Sequence, residues 1–217
     1  MDEVQITIAG RAELQEVVSV MVEAFVEEGI HRHLFDFSRR PTGAGLRGSL
    51  RVELNSAVAA GSRVLIARVD GRIVGGAMIG GNAPRPVWMR IAQGFRWLYA
   101  AAPLLPVVRW SGLPALRSAI RLTRPIVGDH YVLSALAVHP DFRRRGVGSA
   151  LLAEVHRLVE RDPGVIGVYL YTGDTKNNLM YERAGYATIE TRTEGALTVY
   201  HMFRTNGGYR VPGDGRA

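Results

Sequence analysis

One stretch of the sequence decides the fold: LAVHPDFRRRGVGSALL, which runs from Leu136 to Leu152. It begins with an apolar segment of strand length, continues through a turn at Pro140, and then carries three arginines and two glycines. The apolar residues behind the second glycine fall at helical spacing, and these are Leu151, Leu152, Val155, Leu158 and Val159. The glycines therefore lie where a buried strand gives way to an amphipathic helix.

The start of this helix is a favourable place for a phosphate. The first N–H groups of a helix have no intrahelical acceptor, and the helix dipole makes this end positive. Gly146 and Gly148 have no Cβ, so the backbone can approach a ligand closely, and three arginines precede them. The alternative is an ordinary glycine-rich connection, which would need neither the preceding strand and arginines nor the following amphipathic helix. The order of strand, basic run, glycines and helix therefore favours an anion-binding loop.

Two familiar phosphate-binding loops do not match this stretch. The nucleoside-triphosphate loop has four residues between its glycines and ends in Gly-Lys-Ser/Thr, whereas the single lysine of this chain is Lys176. The dinucleotide fingerprint has a third glycine three residues after the second, where this chain has Leu151. Neither of these two loop patterns therefore fits this stretch.

The loop instead resembles the acetyl-coenzyme A motif of the GCN5-related N-acetyltransferase (GNAT) superfamily. That motif reads Gln/Arg, two residues, Gly, one residue, then Gly or Ala. It corresponds here to Arg143–Gly148, which follow Val138-His139-Pro140 in the sequence. A second segment, NNLMYERAGY from Asn177 to Tyr186, resembles the superfamily segment that ends in Tyr-Glu-x-x-Gly-Phe/Tyr. The resemblance covers roughly residues 130–204 and implies an acetyltransferase that uses acetyl-coenzyme A.

The remaining sequence predicts a mixed α/β domain. Its patterns are a strand at Val4–Ile8, helices near 12–25 and 45–60, a hairpin over 62–79 with its turn at Asp70-Gly71, a strand at Val165–Tyr171 and a final hairpin over 187–203. With the resemblance, they imply the GNAT fold: a twisted, mostly antiparallel sheet flanked by helices and splayed between the fourth and fifth strands. We expect one domain over residues 1–204 and a flexible tail over 205–217.

Residues 82–128 exceed what the superfamily has between its third and fourth strands. Trp88, Ile91, Phe95, Leu98 and Tyr99 fall on one face of a predicted amphipathic helix, and a further helical stretch lies near Leu116–Arg121. We interpret this part as an inserted helical cap. It could wall an apolar substrate pocket, form a homodimer surface or rest on a membrane, and the first alternative is favoured. The predicted substrate-binding residues are Phe25, His31, Phe35, Trp88 and Phe95.

The resemblance also assigns the residues that act on the cofactor. It implies that Tyr181 is the general acid that protonates the departing thiolate, and this role is plausible chemically because a phenol ordinarily titrates at about 10 and a thiol at about 8.5. The cofactor itself would contact Leu136, Ala137, Val138, Arg143, Arg144, Arg145, Gly146, Val147, Gly148, Ser149, Asn177 and Tyr181. Backbone N–H groups of Leu136 and Val138 are the expected donors to the pantetheine or the developing oxyanion.

The general base is less well marked. Superfamily members that acetylate histone-type lysines often have a glutamate on the fourth strand, and the segment Tyr131–Ala135 has none. Three alternatives stay open, namely Ser134 with an ordered water, His130, and a carboxylate such as Glu28. An acceptor amine with a low pKa would need no base.

The composition excludes several classes of protein. The chain has 217 residues, no cysteine and a net charge of +7, and its acidic start lacks the pattern of a secretory signal. We expect a cytoplasmic protein without disulfide chemistry and without a transmembrane segment. Neither a nucleic-acid motif nor a His-Glu-x-x-His zinc motif accompanies the charge, so we expect neither nucleic acid nor a metal.

The sequence therefore predicts an N-acetyltransferase for a primary amine of a small, fairly apolar molecule. Its overall pattern resembles, more weakly, the branch with puromycin-type small-molecule acetyltransferases. Two alternatives remain: an acyl-coenzyme A sensor without turnover, and an acetyltransferase for proteins or peptide N-termini.

Overall fold

The computed structural model describes residues 3–26, 29–36, 38, 41–82, 91, 94–95, 99–100 and 102–207. Its strands are β1 Gln5–Ile8, β2 Arg63–Val69, β3 Arg72–Gly81, β4 Tyr131–Val138, β5 Gly167–Thr172, β6 Ala187–Glu194 and β7 Leu197–Thr205. Its helices are α1 Leu14–Phe25, α2 Gly29–Leu34, α3 Pro41–Ala59, α4 Leu113–Ala119, α5 Val147–Glu160 and α6 Thr175–Arg183. Short 3-10 helices cover Ala102–Leu104, Trp110–Gly112 and Pro140–Phe142.

The described strands form one sheet in the order β1-β2-β3-β4-β5-β7-β6. Every neighbouring pair is antiparallel except β4 and β5, which are parallel. The β2–β3 turn has positive φ at both central residues, Asp70 (49°) and Gly71 (78°), which is the hairpin turn that an Asp-Gly pair favours. The predicted mixed, mostly antiparallel fold and its two hairpins are thereby confirmed.

The sheet opens between β4 and β5. These strands pair only at Tyr131↔Val168 and Val132↔Tyr169, whereas β4 stays paired with β3 as far as Val138. A β-bulge at Ser134 lies just beyond the last β4–β5 pair, because Leu133 and Ala135 face consecutive residues of β3. A bulge bends its strand and increases the local twist. The second half of β4 therefore has an edge that β5 does not cover.

Helices cover both faces of the sheet. The side chains Leu151, Leu152, Val155 and Val159 of α5 pack on one face and are at most 2% exposed, which agrees with their predicted helical spacing. Helices α1 and α3 cover the other face through residues such as Met21 and Leu54. Both ends of the glycine loop are therefore anchored in a core.

The inserted segment is described from residue 102 onward. Its helix α4 agrees with the helical stretch predicted near Leu116–Arg121 and packs on β7, where Ala119, Leu197 and Val199 are buried together. The amphipathic helix predicted around Trp88 lies mostly outside the described residues. Within the described ranges, no helix is both long and apolar enough to cross a membrane.

The end of the described chain is fixed to the domain by β7 and by Asn206. β7 continues through Thr205, and the side chain of Asn206 donates hydrogen bonds to the carbonyl oxygens of Val159, Asp162 and Val165. Residues 208–217, the larger part of the predicted tail, lie outside the described residues.

Candidate active site

A cleft of about 910 Å³ lies where β4 leaves β5. The open edge of β4, the start of α5 and the helix α6 form its walls, together with the end of α1 and part of α2. Its lining residues are Ala24, Phe25, Arg32, Leu136, Ala137, Val138, Phe142, Arg143, Arg144, Gly146, Gly148, Ser149, Asp174, Lys176, Asn177, Met180 and Tyr181. Most of the predicted cofactor residues thus line one cavity.

The backbone of β4 presents hydrogen-bonding groups to this cleft. The N–H of His139 donates to the carbonyl oxygen of Val74 in β3 at 2.8 Å. Since N–H directions alternate along a strand, the N–H groups of Leu136 and Val138 point away from β3, toward the open edge. An extended ligand can pair with such an edge as an added strand would.

The glycine loop has the backbone shape of an anion-binding nest. Arg144 has a φ of 61° and Gly146 a φ of 82°, and Gly146 is the N-cap of α5. Successive backbone N–H groups converge in such turns, and the first turn of α5 adds further N–H groups without intrahelical acceptors. At Gly146 the left-handed conformation itself favours glycine. A Cβ at Gly148 would lie 3.7 Å from Val138, so protein packing alone does not exclude a side chain there.

Cationic side chains dominate the charge of the cleft. Arg143 and Arg144 line it as predicted, and they are joined by Arg32 and Lys176, which the sequence analysis did not assign. Arg145 does not line the cleft, and its guanidinium lies over the ring of Phe142 at 5.1 Å. The side chain of Val147 is buried in the core. Val147 can therefore contact a ligand only through its backbone.

The helix α6 carries Tyr181 into the wall of the cleft. The Asp174 side chain caps this helix by accepting hydrogen bonds from the N–H groups of Lys176 (2.7 Å) and Asn177 (3.4 Å). Tyr181 is 7% exposed, and the ring of Tyr186 packs edge-on against it at 5.5 Å. The N–H of Tyr186 also donates to the carbonyl oxygen of Tyr181 at 3.0 Å. The phenol is thus held at a fixed place beside the edge of β4.

The structure does not bring the candidate bases into the cleft. Ser134 is exposed at the bulge and is not a lining residue. His130 is buried before the start of β4, where its Nδ1 lies 2.9 Å from the carbonyl oxygen of Gly128 and its ring packs edge-on against Phe203. Six residues of strand, or about 20 Å, separate His130 from Leu136. Glu28 lies outside the described residues.

Some of the predicted substrate-binding residues meet beside the cleft. Phe25 lines it and stacks on His31, with ring centroids 4.8 Å apart, and His31 is 6.4 Å from the ring of Phe35. Phe95 is 72% exposed and is not among the lining residues. Trp88 lies outside the described residues.

The end of α2 is joined to the inserted segment. Phe35 forms a β-bridge with Val108, and the N–H of Arg109 donates to the carbonyl oxygen of Leu34 at 2.7 Å. Phe35 and Val108 also pack on the buried residues Leu104 and Val107. The two regions in which the sequence places the acceptor therefore contact each other, although they are far apart along the chain.

The residues present suit acetyl-coenzyme A. The nest and four cationic side chains match a ligand with several phosphates, and the open edge of β4 matches an amide-containing arm. Among the residues that the structure describes, no group of three or more His, Asp or Glu side chains is placed to hold a metal ion.

Comparison with known proteins points the same way. No curated protein matches the sequence. The fold is similar to a Corynebacterium glutamicum protein described as histone acetyltransferase HPA2 and related acetyltransferase, at 22% identity over 97% of this chain and 100% of that one, with a TM-score of 0.66. It is also similar to the PaiA N-acetyltransferase of Thermoplasma acidophilum in complex with coenzyme A, at 13% identity over 94% and 99% of the chains, with a TM-score of 0.59. For the Escherichia coli ribosomal-protein-S18-alanine N-acetyltransferase the identity is 13%, the coverage 99% of both chains and the TM-score 0.53.

At such identities the solved structures show the fold, and a family match adds the chemistry. Residues 118–188 match the family described as "Acetyltransferase (GNAT) domain". This segment contains the open edge of β4, the glycine loop and Tyr181. A GNAT acetyltransferase domain is therefore matched over about a third of the chain, and the fold around it is that of solved acetyltransferases.

Proposed function

We propose that the protein acetylates the primary amine of a small, fairly apolar molecule by direct attack of that amine on the thioester. One observation carries the proposal: the buried Tyr181 stands in the wall of a cationic cleft beside the uncovered edge of β4. Acetyl-coenzyme A, when bound, supplies the acetyl group in activated form. The residues of this chain then have to hold the donor, deliver a proton to sulfur and receive the acceptor.

The glycine loop and the edge of β4 would bind the donor. Arg143 and Arg144 would neutralise phosphate charge, while the N–H groups of the loop and of the first turn of α5 hydrogen-bond the phosphate oxygens. Leu136 and Val138 would donate backbone N–H groups to the pantetheine arm or to the thioester carbonyl. Arg32 and Lys176 line the same cleft and would add charge of the same sign.

Tyr181 would act as the general acid. In the transfer a C–N bond forms, the C–S bond breaks, and the departing sulfur takes the phenolic proton. The amine in turn loses a proton, which restores the phenol through solvent, so that the products are an amide and a free thiol. A phenol is a suitable donor because it ordinarily titrates above a thiol but within about two units of it.

No base is assigned among Ser134 and His130, because neither lines the cleft. We propose that the acceptor enters as its free base and releases its proton to water at the opening between β4 and β5. Ser134 lies exposed at this opening and could hold such a water. Activity is then expected to rise with pH as the free-base fraction of the acceptor rises.

The acceptor class rests on the side of the cleft that faces α2. Phe25 contributes an aromatic wall that His31 extends by stacking, and the α2 region rests on apolar residues of the insertion. Such a surface favours an apolar body next to the reactive amine. The similarity to an acetyltransferase for a ribosomal protein concerns the fold alone, so acetylation of a protein N-terminus stays the second candidate.

A thiol-release assay separates these functions. The purified protein is supplied with acetyl-coenzyme A and either a panel of primary amines of graded apolarity or peptides with free N-termini. We expect release with apolar amines above that with peptides. Release with peptides alone would support the second candidate, whereas binding of coenzyme A without release for any acceptor would favour the sensor.

A further inference from the structure

The insertion carries the whole net charge of the protein. Residues 82–128 contain seven arginines and neither lysine, aspartate nor glutamate, so this segment contributes +7, which equals the net charge of the chain. All three tryptophans, Trp88, Trp97 and Trp110, also lie in it. The rest of the chain therefore has as many acidic as basic side chains, and the insertion differs from it in both charge and aromatic content.

The outward side of α4 combines apolar and cationic side chains. This helix follows directly on a 3-10 helix that begins at Trp110, and Trp110, Leu113 and Arg117 recur at intervals of three and four, which places them on one side. Trp110 is 58% exposed, and Leu113 and Arg117 are exposed as well. The opposite side packs on β7 through Leu116 and the buried Ala119. The exposed side chains therefore point away from the sheet.

Arginines continue this surface beyond the helix. Arg121 lies one turn after Arg117, where its N–H donates to the carbonyl oxygen of Ser118 at 3.2 Å, and Arg124 follows. Both side chains are exposed. Among the residues that the structure describes, no carboxylate forms an ion pair with Arg117, Arg121 or Arg124. Their positive charges therefore face the solvent.

The carboxylates that contact this part of the insertion already have a cationic partner. Glu194 accepts a hydrogen bond from Ser118 at 2.7 Å, and Glu190 accepts one from the N–H of Thr123 at 2.9 Å. Both carboxylates also pair with the guanidinium of Arg192, at 3.4 and 3.5 Å. They therefore leave most of the positive charge of the insertion uncompensated.

The described residues at the start of the insertion are apolar and exposed in the same way. Ile91, Phe95 and Tyr99 are helical, and intervals of four place them on one side. Tyr99 is 87% exposed, and the other two are also exposed. The backbone of the next residue, Ala100, lies against α3, because a Cβ at Gly48 would be 2.8 Å from its carbonyl oxygen. Exposed apolar side chains in such number mark an interaction site.

We propose that the outward surface of the insertion, formed by Trp110, Leu113, Arg117, Arg121 and Arg124, binds the surface of anionic phospholipid bilayers. Arginine side chains are attracted to anionic headgroups, and tryptophan prefers the level of the headgroups, with one part in apolar and one part in polar surroundings. This is the third of the alternatives for the insertion, and it concerns the side that faces away from the domain. The inward side still contacts α2.

Other partners fit this surface less well. In a symmetric dimer built on it, a surface with arginines and no carboxylate would face its own copy, so like charges would repel. A nucleic acid would satisfy the arginines, but contacts to phosphate give no partner to exposed aliphatic side chains such as Leu113 and Ile91. A bilayer satisfies both kinds of side chain. Lipid binding also needs neither acetyl-coenzyme A nor an acceptor, so this inference does not depend on the proposed function.

Tryptophan fluorescence measures this binding directly, because every tryptophan of the chain lies in the insertion. The full-length protein is titrated with vesicles of phosphatidylcholine that contain about 30% phosphatidylglycerol, and with vesicles of phosphatidylcholine alone. We expect a saturable blue shift with the anionic vesicles and at least about tenfold weaker binding to the neutral ones. Raising the salt from about 0.1 M to about 0.5 M should weaken the binding about tenfold.

Variants of exposed arginines separate this surface from the net charge. R117A/R121A should raise the lipid concentration at half-binding about tenfold, since two charges at the membrane surface are lost. The matched control R161A/R183A removes the same charge from exposed sites outside the insertion and should stay within about twofold of the wild type. Trp110→Ser keeps every charge, should weaken binding about fivefold, and serves if R117A/R121A does not fold.

Three results would overturn the inference. The first is the absence of a blue shift with anionic vesicles. The second is an equal loss of binding in R117A/R121A and R161A/R183A, which would mean that net charge alone attracts the protein. The third is a DNA duplex that binds more tightly than the vesicles and equally well to Trp110→Ser, which would assign the surface to nucleic acid. Thiol release is assayed without vesicles, so failure of either proposal leaves the other standing.

Discussion

The donor side and the acceptor side of this protein are built in different ways. The donor side is formed by β4, the glycine loop and α6, within a segment of about a third of the chain that matches the GNAT family. Its proposed contacts to the donor are mainly backbone groups, whose directions follow from strand alternation and from two positive φ values. The proposed acceptor side is assembled from α2 and the insertion, and it depends on side chains brought together by the fold. Local sequence can therefore identify the donor but not the acceptor.

The largest expected effect is on the donor side, at Tyr181. Loss of its hydroxyl in Tyr181→Phe should lower kcat about a hundredfold to a thousandfold, since the departing thiolate then leaves without its proton. Affinity for coenzyme A, measured by calorimetry, should change little because the ring is kept. Tyr200→Phe is the matched control, as Tyr200 bonds to Thr175 and is not a lining residue of the cleft. Equal activity of the Tyr181→Phe and wild-type proteins would remove Tyr181 from the chemistry.

The next effect tests the charge of the cleft. The double variant R143A/R144A should bind coenzyme A about a hundredfold more weakly, since each charge-assisted hydrogen bond contributes about 1.5–3 kcal/mol. R145A removes a side chain that lies over Phe142 but is not itself a lining residue of the cleft, and it should bind within about threefold of the wild type. Calorimetric titration at low and high salt checks both. A loss in R145A as large as in the double variant would contradict the assignment.

A smaller effect is expected where the two sides meet. A Cβ at Gly173, behind β5, would lie 2.5 Å from Cγ1 of Ile30 in α2. Gly173→Ala should therefore push α2 outward and raise the KM of the acceptor about tenfold, as a displaced wall loses about one charged or well-packed contact. The double variant G173A/I30A removes the clash and should recover part of the loss. If G173A alters only coenzyme A affinity, α2 does not serve the acceptor side.

The smallest effect concerns the stability of the protein and arises at His156, whose ring packs against Tyr186 behind Tyr181. Burial lowers the pKa of His156 from 6.5 to about 4, with the Arg204 charge as a second cause. Between these values the unfolded chain binds more protons than the native protein, so stability should fall as the pH falls from 6.5 to 4. After allowance for partial exposure, the contribution is about 1 kcal/mol. When the melting temperature is measured against pH, it should fall less steeply below pH 6.5 in His156→Gln than in the wild type. An unchanged slope would mean that other groups cause the loss of stability in acid.

Much of the donor side was predictable from the sequence. Apolar alternation and the Asp70-Gly71 turn identify the hairpin, and the spacing of Leu151, Val155 and Val159 identifies α5. The glycines of the loop and the Tyr-Glu segment led to the cofactor and to Tyr181. These features are local, because turn geometry and helical periodicity are set by neighbouring residues.

The parts that were missed depend on tertiary contacts. Arg32 and Lys176 reach the cleft from separate helices, and no spacing in the sequence relates them to Arg143. Lys176 could have been singled out as the one lysine of the chain next to an N-capping aspartate. Histidine is a common general base, but the position of His130 at the opposite end of β4 follows only from the register of the sheet. The second cavity, of about 510 Å³, lies between His33, the insertion at Gly112 and the β6–β7 turn at Glu194, and this meeting of three distant segments has no signature in the sequence.

One measurement tests direct transfer most clearly: a single-turnover reaction of the protein with acetyl-coenzyme A labelled in the acetyl group, quenched at intervals with and without an acceptor amine. Thiol, acetylated amine and acetylated protein are quantified by mass spectrometry. We predict that thiol and acetylated amine appear together at one rate, that thiol release stops without the amine, and that no acetyl group is found on the protein. A burst of thiol without amine, accompanied by an acetylated protein side chain, would contradict direct attack.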